Sequence, residues 1–121
     1  MIRRVKFVTV PVHDQDRALA FYTQKLGFKV MTDQPFDDTQ RWIELQIPGA
    51  DTRVVLFTAE FHKDRVGTPF NGAFASDDVE KTYIELRERG VEFTSEPQKQ
   101  DWGTFCIFKD PDGNEFVLGS K

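Results

Sequence analysis

Phe7-Val-Thr-Val-Pro-Val-His-Asp14 decides the fold, because the chain repeats its pattern as Asn71-Gly-Ala-Phe-Ala-Ser-Asp-Asp78. Each stretch reads as an apolar strand that ends in an acidic turn, and each is followed by a helical pattern, a glycine and another strand. The glycines, Gly27 and Gly90, lie 63 positions apart, whereas the acidic turns lie 64 apart. One residue fewer in the second helix reconciles the two offsets, so the sequence predicts an internal duplication.

Local patterns predict the elements of each half. In the first half we expect strands at 5–12, 28–31, 41–47 and 52–58. In the second half we expect strands at 71–76, 91–95, 103–109 and 115–119. Asp14 or Asp16 is expected to cap the first helix and Gly27 to end it, while the second helix is expected at 79–89. The polar stretch 32–40 is expected to be a loop.

These elements predict an α+β fold of two βαβββ repeats, which form a curved, mostly antiparallel sheet with the helices on the outer faces. We expect a single domain at 1–121, with repeat one at 1–58, a linker at 59–70 and repeat two at 71–121. The faces opposite the helices are expected to be concave and to enclose a ligand cavity. Sheet edges favour pairing with a second subunit, so a homodimer is predicted.

The composition argues against several classes of partner. The 121 residues carry a formal net charge of −4, which argues against nucleic acid, because phosphate binding favours a basic surface. No run of about 18 apolar residues is present, so we expect no membrane span and no membrane partner. The single cysteine, Cys106, excludes an internal disulfide and fits a cytoplasmic protein. The 12 phenylalanines are expected mainly in the core.

Further signatures occur along both halves of the chain. They are Ala20-Phe-Tyr22 with Leu26-Gly-Phe28, Asp77-Asp-Val79 with Leu86-Arg-Glu-Arg-Gly-Val91, and Trp102-Gly103 ahead of Asp110-Pro-Asp-Gly-Asn114. Because these signatures occur in this order and together with the duplication, the chain resembles the vicinal oxygen chelate superfamily. That superfamily includes glyoxalase I, extradiol dioxygenases and bleomycin-resistance proteins. The resemblance spans essentially all 121 residues and implies a glyoxalase-like fold.

The resemblance also implies where a metal ion would be bound. Metal-dependent members carry four ligands, usually His or Glu, on the first and last strands of each half. In this chain those positions fall on Phe7, Val55, Asn71 and Val117. Phenylalanine and valine have no lone pair to donate, and a single asparagine carbonyl is too little for a divalent cation. We therefore predict no metal site and no cofactor.

Side-chain alternation predicts the inner wall of the cavity, because residues two apart on a strand share a face. Glu44 and Val55 are expected opposite each other, and an offset of 62 residues carries this wall into the second half. The predicted ligand-binding residues are Phe7, Thr9, Trp42, Arg53, Val55, Phe57, Asn71, Trp102, Cys106, Phe108 and Val117. Residues of the opposite parity are predicted in the helix-packed core, among them Ile43, Leu45, Phe105, Ile107, Phe116 and Leu118.

Glu44 is the candidate catalytic residue. Burial beside aromatic rings would raise its pKa and make it a general base, whereas the alternative is a cross-strand pair with Arg53 that fixes the hairpin. Trp42 and Trp102 either stack on a planar or cationic ligand or serve as core and rim residues. Cys106 is either a nucleophile, although no histidine is placed to activate it, or a buried inert thiol.

Three functions follow from these residues and from the resemblance. The first is a small-molecule-binding protein of the glyoxalase/bleomycin-resistance type, metal-free, that holds an aromatic or cationic ligand in the cavity. The second is an enzyme, a lyase or dioxygenase of the same superfamily, with Glu44 as general base. The third is a non-catalytic dimerisation module whose cavity is filled by its own aromatic side chains.

Overall fold

Each half of the chain forms its own four-stranded sheet in the computed structural model, which describes all 121 residues. The two units are Met1–Val66 and Gly67–Lys121. The strands of the first unit are β1 (Phe7–Val10), β2 (Lys29–Pro35), β3 (Arg41–Gln46) and β4 (Arg53–Leu56). Its helical segments are α1 (Gln15–Ala20), a π-helical turn (Phe21–Lys25) and a 3₁₀ helix (Glu60–Arg65). The second unit contains β5 (Pro69–Ser76), α2 (Val79–Glu88), β6 (Glu92–Gln100), β7 (Gly103–Lys109) and β8 (Glu115–Ser120).

The two sheets have the same topology. The strand order is β1-β4-β3-β2 in the first and β5-β8-β7-β6 in the second. In each sheet the first pair in this order is parallel and the other two pairs are antiparallel. The predicted α+β class with two βαβββ repeats is therefore confirmed, and each repeat contributes an open, mixed sheet.

Both helices begin at a capping aspartate. Asp14 Oδ1 accepts a hydrogen bond from the Arg17 N–H at 3.0 Å, and Asp78 Oδ1 accepts one from the Lys81 N–H at 3.1 Å. Each carboxylate thereby satisfies an amide of the first turn that has no carbonyl partner within the helix. Of the two caps predicted for the first helix, Asp14 rather than Asp16 is the one observed.

A π-helical turn takes up the extra residue of the first helix. Across Phe21–Lys25 the backbone widens, and the Leu26 N–H donates to the carbonyl of Phe21, five residues earlier, at 3.2 Å. A π-helical turn accommodates an inserted residue without breaking the helix. Both segments then reach a glycine with left-handed backbone, Gly27 at φ +79° and Gly90 at φ +88°. None of the helices is long and apolar enough to cross a membrane.

The core of the first unit lies on the face of its sheet that packs against the helix. Ile43 pairs with Leu56 and Leu45 pairs with Val54 across β3 and β4. All four side chains are at most 1% exposed, and Tyr22 from the helical segment is fully buried. The predicted parity is therefore confirmed for these strands.

Phenylalanine rings fill the core of the second unit. The ring centroid of Phe116 lies 5.2 Å from that of Phe74 and 5.4 Å from that of Phe108, and Phe93 lies 5.8 Å from Phe108. Phe108 and Phe116 are at most 1% exposed. Large flat rings bury much apolar area for few degrees of freedom, which suits a unit of this size.

Most strand ends lie within two residues of the prediction, and three features differ from it more substantially. Strand β2 continues to Pro35, which pairs with Arg41, instead of giving way to a loop at residue 32. Strand β6 runs to Gln100, and the predicted linker 59–70 contains a 3₁₀ helix and the start of β5. The ends of β2 and β6 lack the apolar alternation that predicts a strand, because both are edge strands, where exposed polar residues are tolerated.

Truncating Phe116 tests the phenylalanine core. We expect Phe116→Ala to lower the free energy of unfolding by about 3 to 5 kcal/mol, because it leaves a cavity among the surrounding rings. Guanidinium denaturation followed by circular dichroism measures the change. The matched control is Phe61→Ala, since Phe61 is 79% exposed, and we expect a change within about 0.5 kcal/mol. Equal losses in the two variants would contradict the assignment of the core.

Candidate functional site

The predicted binding residues of the first unit lie on the face of its sheet that points away from the core, here called the first open face. The cross-strand neighbours are Phe7 with Arg53, Thr9 with Val55, and Glu44 with Val55. Trp42, two residues before Glu44, shares this face because side chains alternate along a strand. The register predicted for these strands is confirmed.

Four aromatic rings meet on the first open face. The Trp42 ring centroid lies 5.4 Å from that of Phe7 and 5.2 Å from that of Phe57. Phe36 completes the group, with its centroid 4.9 Å from Phe57 and 6.2 Å from Trp42. Phe36 is 59% exposed, so the group is open to solvent on this side. These four residues are called the aromatic cluster below.

Sequence reasoning missed Phe36, because it placed residues 32–40 in a polar loop. The Phe36 N–H donates to the Gln40 carbonyl at 3.0 Å, and Asp37 Oδ1 accepts from the N–H groups of Thr39 and Gln40 at 2.8 and 2.9 Å. These hydrogen bonds hold the pKa of Asp37 below its usual value, and the one from the Thr39 backbone has the largest effect. An aspartate in a polar stretch favours a turn, because its side chain accepts from the backbone N–H two residues later, and Asp37 was the available clue to the ordered turn beside Phe36.

Glu44 lies in an ion pair on the first open face. Its Oε2 accepts a hydrogen bond from Arg53 Nη1 at 2.5 Å, and its Oε1 accepts one from Trp42 Nε1 at 3.1 Å. The hydrogen bond from Arg53, followed by that from Trp42, lowers the pKa of Glu44 although the residue is only 8% exposed. The predicted rise in this pKa is wrong, because hydrogen bonds to the charged carboxylate outweigh its burial. The alternative prediction, a Glu44–Arg53 pair, is confirmed.

The pair makes stability depend on pH in a defined direction. Since the folded-state pKa of Glu44 lies below the unfolded value of about 4.3, its contribution is present above that value and is lost as the pH falls through the folded-state pKa. We expect Glu44→Gln to lower the free energy of unfolding by about 1 to 3 kcal/mol at neutral pH, and by progressively less in acid. Urea denaturation of both proteins over a pH series measures this difference.

The control for this series is Glu60→Gln, which removes a carboxylate from an exposed pair with Lys63. Exposed pairs contribute about 0 to 1 kcal/mol, so we expect a small effect at every pH. A Glu44→Gln difference that grows as the pH falls would contradict the ion pair.

In the second unit, the wall predicted on β7 is displaced by one residue. Cys106 lies opposite Leu118 and Phe108 lies opposite Phe116, and Cys106 and Phe108 are at most 1% exposed. Both therefore belong to the helix-packed core, and their predicted place on the wall beside Val117 is wrong.

Burial raises the pKa of the Cys106 thiol to about 11, so it is neutral near physiological pH and unsuited to act as a nucleophile.

The cause of the displacement is a difference in turn length. Residues 47–52 connect β3 to β4, whereas only residues 110–114 connect β7 to β8. The 62-residue offset that relates β4 to β8 therefore becomes 63 for β3 and β7, and a one-residue shift exchanges the two faces of a strand. As a result Phe105 and Ile107, predicted in the core, lie on the open face with Val117.

This second open face is largely apolar. Val117 lies beside Ala73 across β8 and β5. Trp102 is 71% exposed and stacks on Phe105, with ring centroids 5.3 Å apart and an interplanar angle of 21°. Asn71 is exposed in a stretch of β5 whose pairing with β8 is irregular. The face therefore offers apolar contact area and one exposed aromatic stack.

The positions that the resemblance implies for a metal ion do not fit one. The side chains of Phe7, Val55 and Val117 consist only of hydrocarbon, and Asn71 contributes one amide. Side chains without lone pairs cannot coordinate a cation. The structure also holds no group of three or more His, Cys, Asp or Glu side chains that could bind a metal ion.

Two clefts lie elsewhere on the molecule. One, of about 610 Å³, lies at the start of α1 and is lined by polar side chains, while the other, of about 510 Å³, is lined by Tyr83, Arg87 and the beginning of β6. In the first, Gln15 Nε2 donates to the carbonyls of Arg41 and Leu56 at 2.6 and 2.8 Å, so it ties strands together. None of the predicted binding residues lines either cleft.

Comparison with known proteins agrees with the fold. The family model of the Glyoxalase/Bleomycin resistance protein/Dioxygenase superfamily matches residues 4–118. The chain therefore belongs to this superfamily, and the resemblance drawn from its sequence is confirmed.

Three similar proteins span nearly the whole chain. Uncharacterized protein YetH of Bacillus subtilis (strain 168) is 38% identical over 118 residues, which cover 98% of each chain. A superfamily member from Sphaerobacter thermophilus DSM 20745 is 35% identical, with a TM-score of 0.89 over 99% of this chain and 98% of that one. TnmS3, an antibiotic binding protein from Streptomyces sp. CB03234, is 35% identical, with a TM-score of 0.86 over 98% of this chain and 96% of that one.

Proposed function

We propose that this protein binds a planar aromatic small molecule on its first open face without a metal ion. The observation that carries the proposal is the aromatic cluster, in which Trp42 contacts Phe7 and Phe57 while Phe36 remains 59% exposed. Aromatic rings grouped on one exposed face bind flat ligands by stacking and by burying apolar area. Exposed groups of apolar side chains often mark binding sites.

The ion pair supports this function by holding Trp42 in position. The Trp42 indole N–H donates to Glu44, which is itself held by Arg53. The indole orientation is therefore fixed before any ligand arrives, and the residue stays partly exposed. Preorganised side chains lose less conformational entropy on binding, which increases affinity.

The similarity to TnmS3 favours the same class of function. That protein is an antibiotic binding protein, and this chain is 35% identical to it over 98% of its length. We extend to this chain only the general role of binding a small molecule. The planar aromatic character of the ligand comes from the aromatic cluster.

The absence of a resident metal ion is part of the proposal. Its support is the hydrocarbon of Phe7, Val55 and Val117 at the positions where the superfamily resemblance implies metal ligands. We expect elemental analysis of the dialysed, purified protein to find less than a stoichiometric amount of zinc, nickel, iron or manganese. One equivalent of any of these retained through dialysis would overturn this part of the proposal.

The alternative predictions have less support from the described residues. Glu44 is held as an ionised carboxylate by Arg53, and Cys106 is a buried neutral thiol, so neither offers the group that a lyase mechanism would need from it. The enzyme hypothesis and the homodimer stay predictions. The exposed ring of Trp102, beside the partly exposed Phe105, Ile107 and Val117 of the second open face, is what supports pairing with a second copy.

Ligand binding is tested with 9-anthracenemethanol, a neutral three-ring probe. In a Trp102→Phe variant, Trp42 is the single tryptophan, so energy transfer from tryptophan to the anthracene reports on the first open face. We expect saturable transfer, and we expect Phe36→Ala in the same background to weaken binding by about 3- to 10-fold, through loss of one ring contact.

The matched control in this background is Phe61→Ala, which removes an exposed ring outside the aromatic cluster and should leave the affinity unchanged. Transfer that rises linearly without saturation would overturn the proposed function. An equal effect of the two alanine variants would show that the aromatic cluster is not the binding site.

A further inference from the structure

We propose that the preferred ligand of the first open face is a planar aromatic anion whose acidic group pairs with Arg53. This inference rests on the proposed function and names its ligand class. It narrows the aromatic or cationic ligand predicted from the sequence, for which Trp42 and Trp102 were to supply the stacking surface, to an aromatic anion. Three features of the first open face carry it: the carboxylate is already engaged, the guanidinium is accessible, and the surrounding charge is positive.

Both oxygens of the Glu44 carboxylate are engaged within the protein. Oε2 accepts from Arg53 Nη1 at 2.5 Å, and Oε1 accepts from Trp42 Nε1 at 3.1 Å. The carboxylate is also largely shielded, since its side chain is 10% exposed. A cationic ligand would have to displace Arg53 to reach it, which would leave the guanidinium without its carboxylate.

Arg53 is the accessible member of the pair. Its side chain is 36% exposed, and Glu44 occupies only one of its terminal nitrogens. A guanidinium carries several N–H groups in one plane and can bind a second carboxylate or a sulfonate through a further edge. Arg53 can therefore hold an anion without giving up Glu44.

Other cations lie near this guanidinium. The Arg53 N–H donates to the carbonyl of Lys6 at 3.0 Å, and the charge of Lys6 is near enough to Glu44 to contribute to its low pKa. Lys29 lies opposite Gln46, which in turn lies opposite Arg53, so the two basic residues belong to one row across β2, β3 and β4.

The nearby carboxylate of β2 does not offset this charge. Asp33 pairs in register with Ile43, whose side chain points to the core side of the sheet, and it binds Arg41 at 2.9 Å. Around Arg53 the first open face therefore carries more positive than negative charge, whereas the whole chain has a formal net charge of −4. A local excess of positive charge favours anionic ligands.

Register also places the aromatic surface and the cation within reach of one molecule. Phe7 lies beside Arg53 on neighbouring strands, and the Phe7 ring contacts Trp42 at 5.4 Å between centroids. Neighbouring strands are about 4.8 Å apart, which is less than the width of a three-ring aromatic. A flat ligand stacked on these rings would bring a substituent at its edge to the guanidinium.

Three probes with one ring system separate charge from stacking. They are 9-anthracenecarboxylate, 9-anthracenemethanol and 9-(aminomethyl)anthracene, which at neutral pH are anionic, neutral and cationic. Binding is measured by energy transfer from Trp42 in the Trp102→Phe background. We expect the anion to bind about 2- to 5-fold more tightly than the alcohol, the range that one partly exposed charge pair provides, and the cation to bind most weakly.

The charge variant is the double substitution Glu44→Gln with Arg53→Met, which removes both charges and leaves no buried carboxylate unpaired. We expect the ratio of anion to alcohol affinity to fall to about one, while the alcohol still binds saturably, because the amide oxygen introduced at position 44 can still accept from Trp42 Nε1. Lys63→Met, which removes a cation from the exposed 3₁₀ helix, is the matched control and should keep the preference. Circular dichroism confirms that each variant is folded.

The outcomes distinguish this inference from the proposed function. If the alcohol binds saturably but the anion has no advantage, or if the cation binds most tightly, the inference is overturned and the proposed function stands. A preference for the anion that survives in the double variant would also overturn it, because the preference would not come from Arg53. If none of the probes binds saturably, the proposed function fails and this inference fails with it.

Discussion

The alternation of side chains along β3 and β4 is the constraint on which the rest of the first unit depends. Residues two apart share a face, so the six-residue turn at 47–52 places Glu44 beside Val55 and Ile43 beside Leu56. This register directs one set of apolar side chains to the helix and collects the aromatic cluster on the other face. Had the turn been one residue shorter, every side chain of β3 would have changed sides relative to β4.

Comparison of the two turns shows why the duplicated halves differ in chemistry. The turn between β7 and β8 is shorter by one residue, so Ile107, not Cys106, is the structural counterpart of Glu44. The second half therefore has an isoleucine where the first has its carboxylate. The duplication reproduces strands, caps and helices, while the ion pair of Glu44 with Arg53 belongs to the first half alone.

That ion pair changes what the first open face can do. A carboxylate with a raised pKa would have favoured proton transfer, whereas a carboxylate bound to a guanidinium and an indole N–H stays ionised and positions its partners. Together with Phe7 and Val55 at positions where the superfamily resemblance implies metal ligands, this favours recognition over catalysis. The same pair leaves Arg53 as the group that a ligand would meet.

The sequence by itself determined the duplication, the α+β class, an aspartate cap on the first helix at Asp14 or Asp16, and the parity of β3 and β4. These depend on local patterns of residues, and the two copies reinforce each other. The same local reasoning showed that the first helix has one residue more than the second. Only the backbone showed that a π-helical turn at Phe21–Lys25 accommodates that residue. The residues predicted for binding in the first unit lie on its open face for the same reason, and their part in binding stays a prediction.

Only the tertiary structure decided the face of β7, the charge state of Glu44 and the place of Phe36. The face of β7 depends on the length of a turn, which a single offset between repeats does not reveal. The pKa of Glu44 depends on whether burial or hydrogen bonds prevail, and that balance is set by the distances to Arg53 and Trp42. Phe36 joins the aromatic cluster only because β2 pairs with β3 as far as Pro35, a long-range contact that its polar sequence does not show.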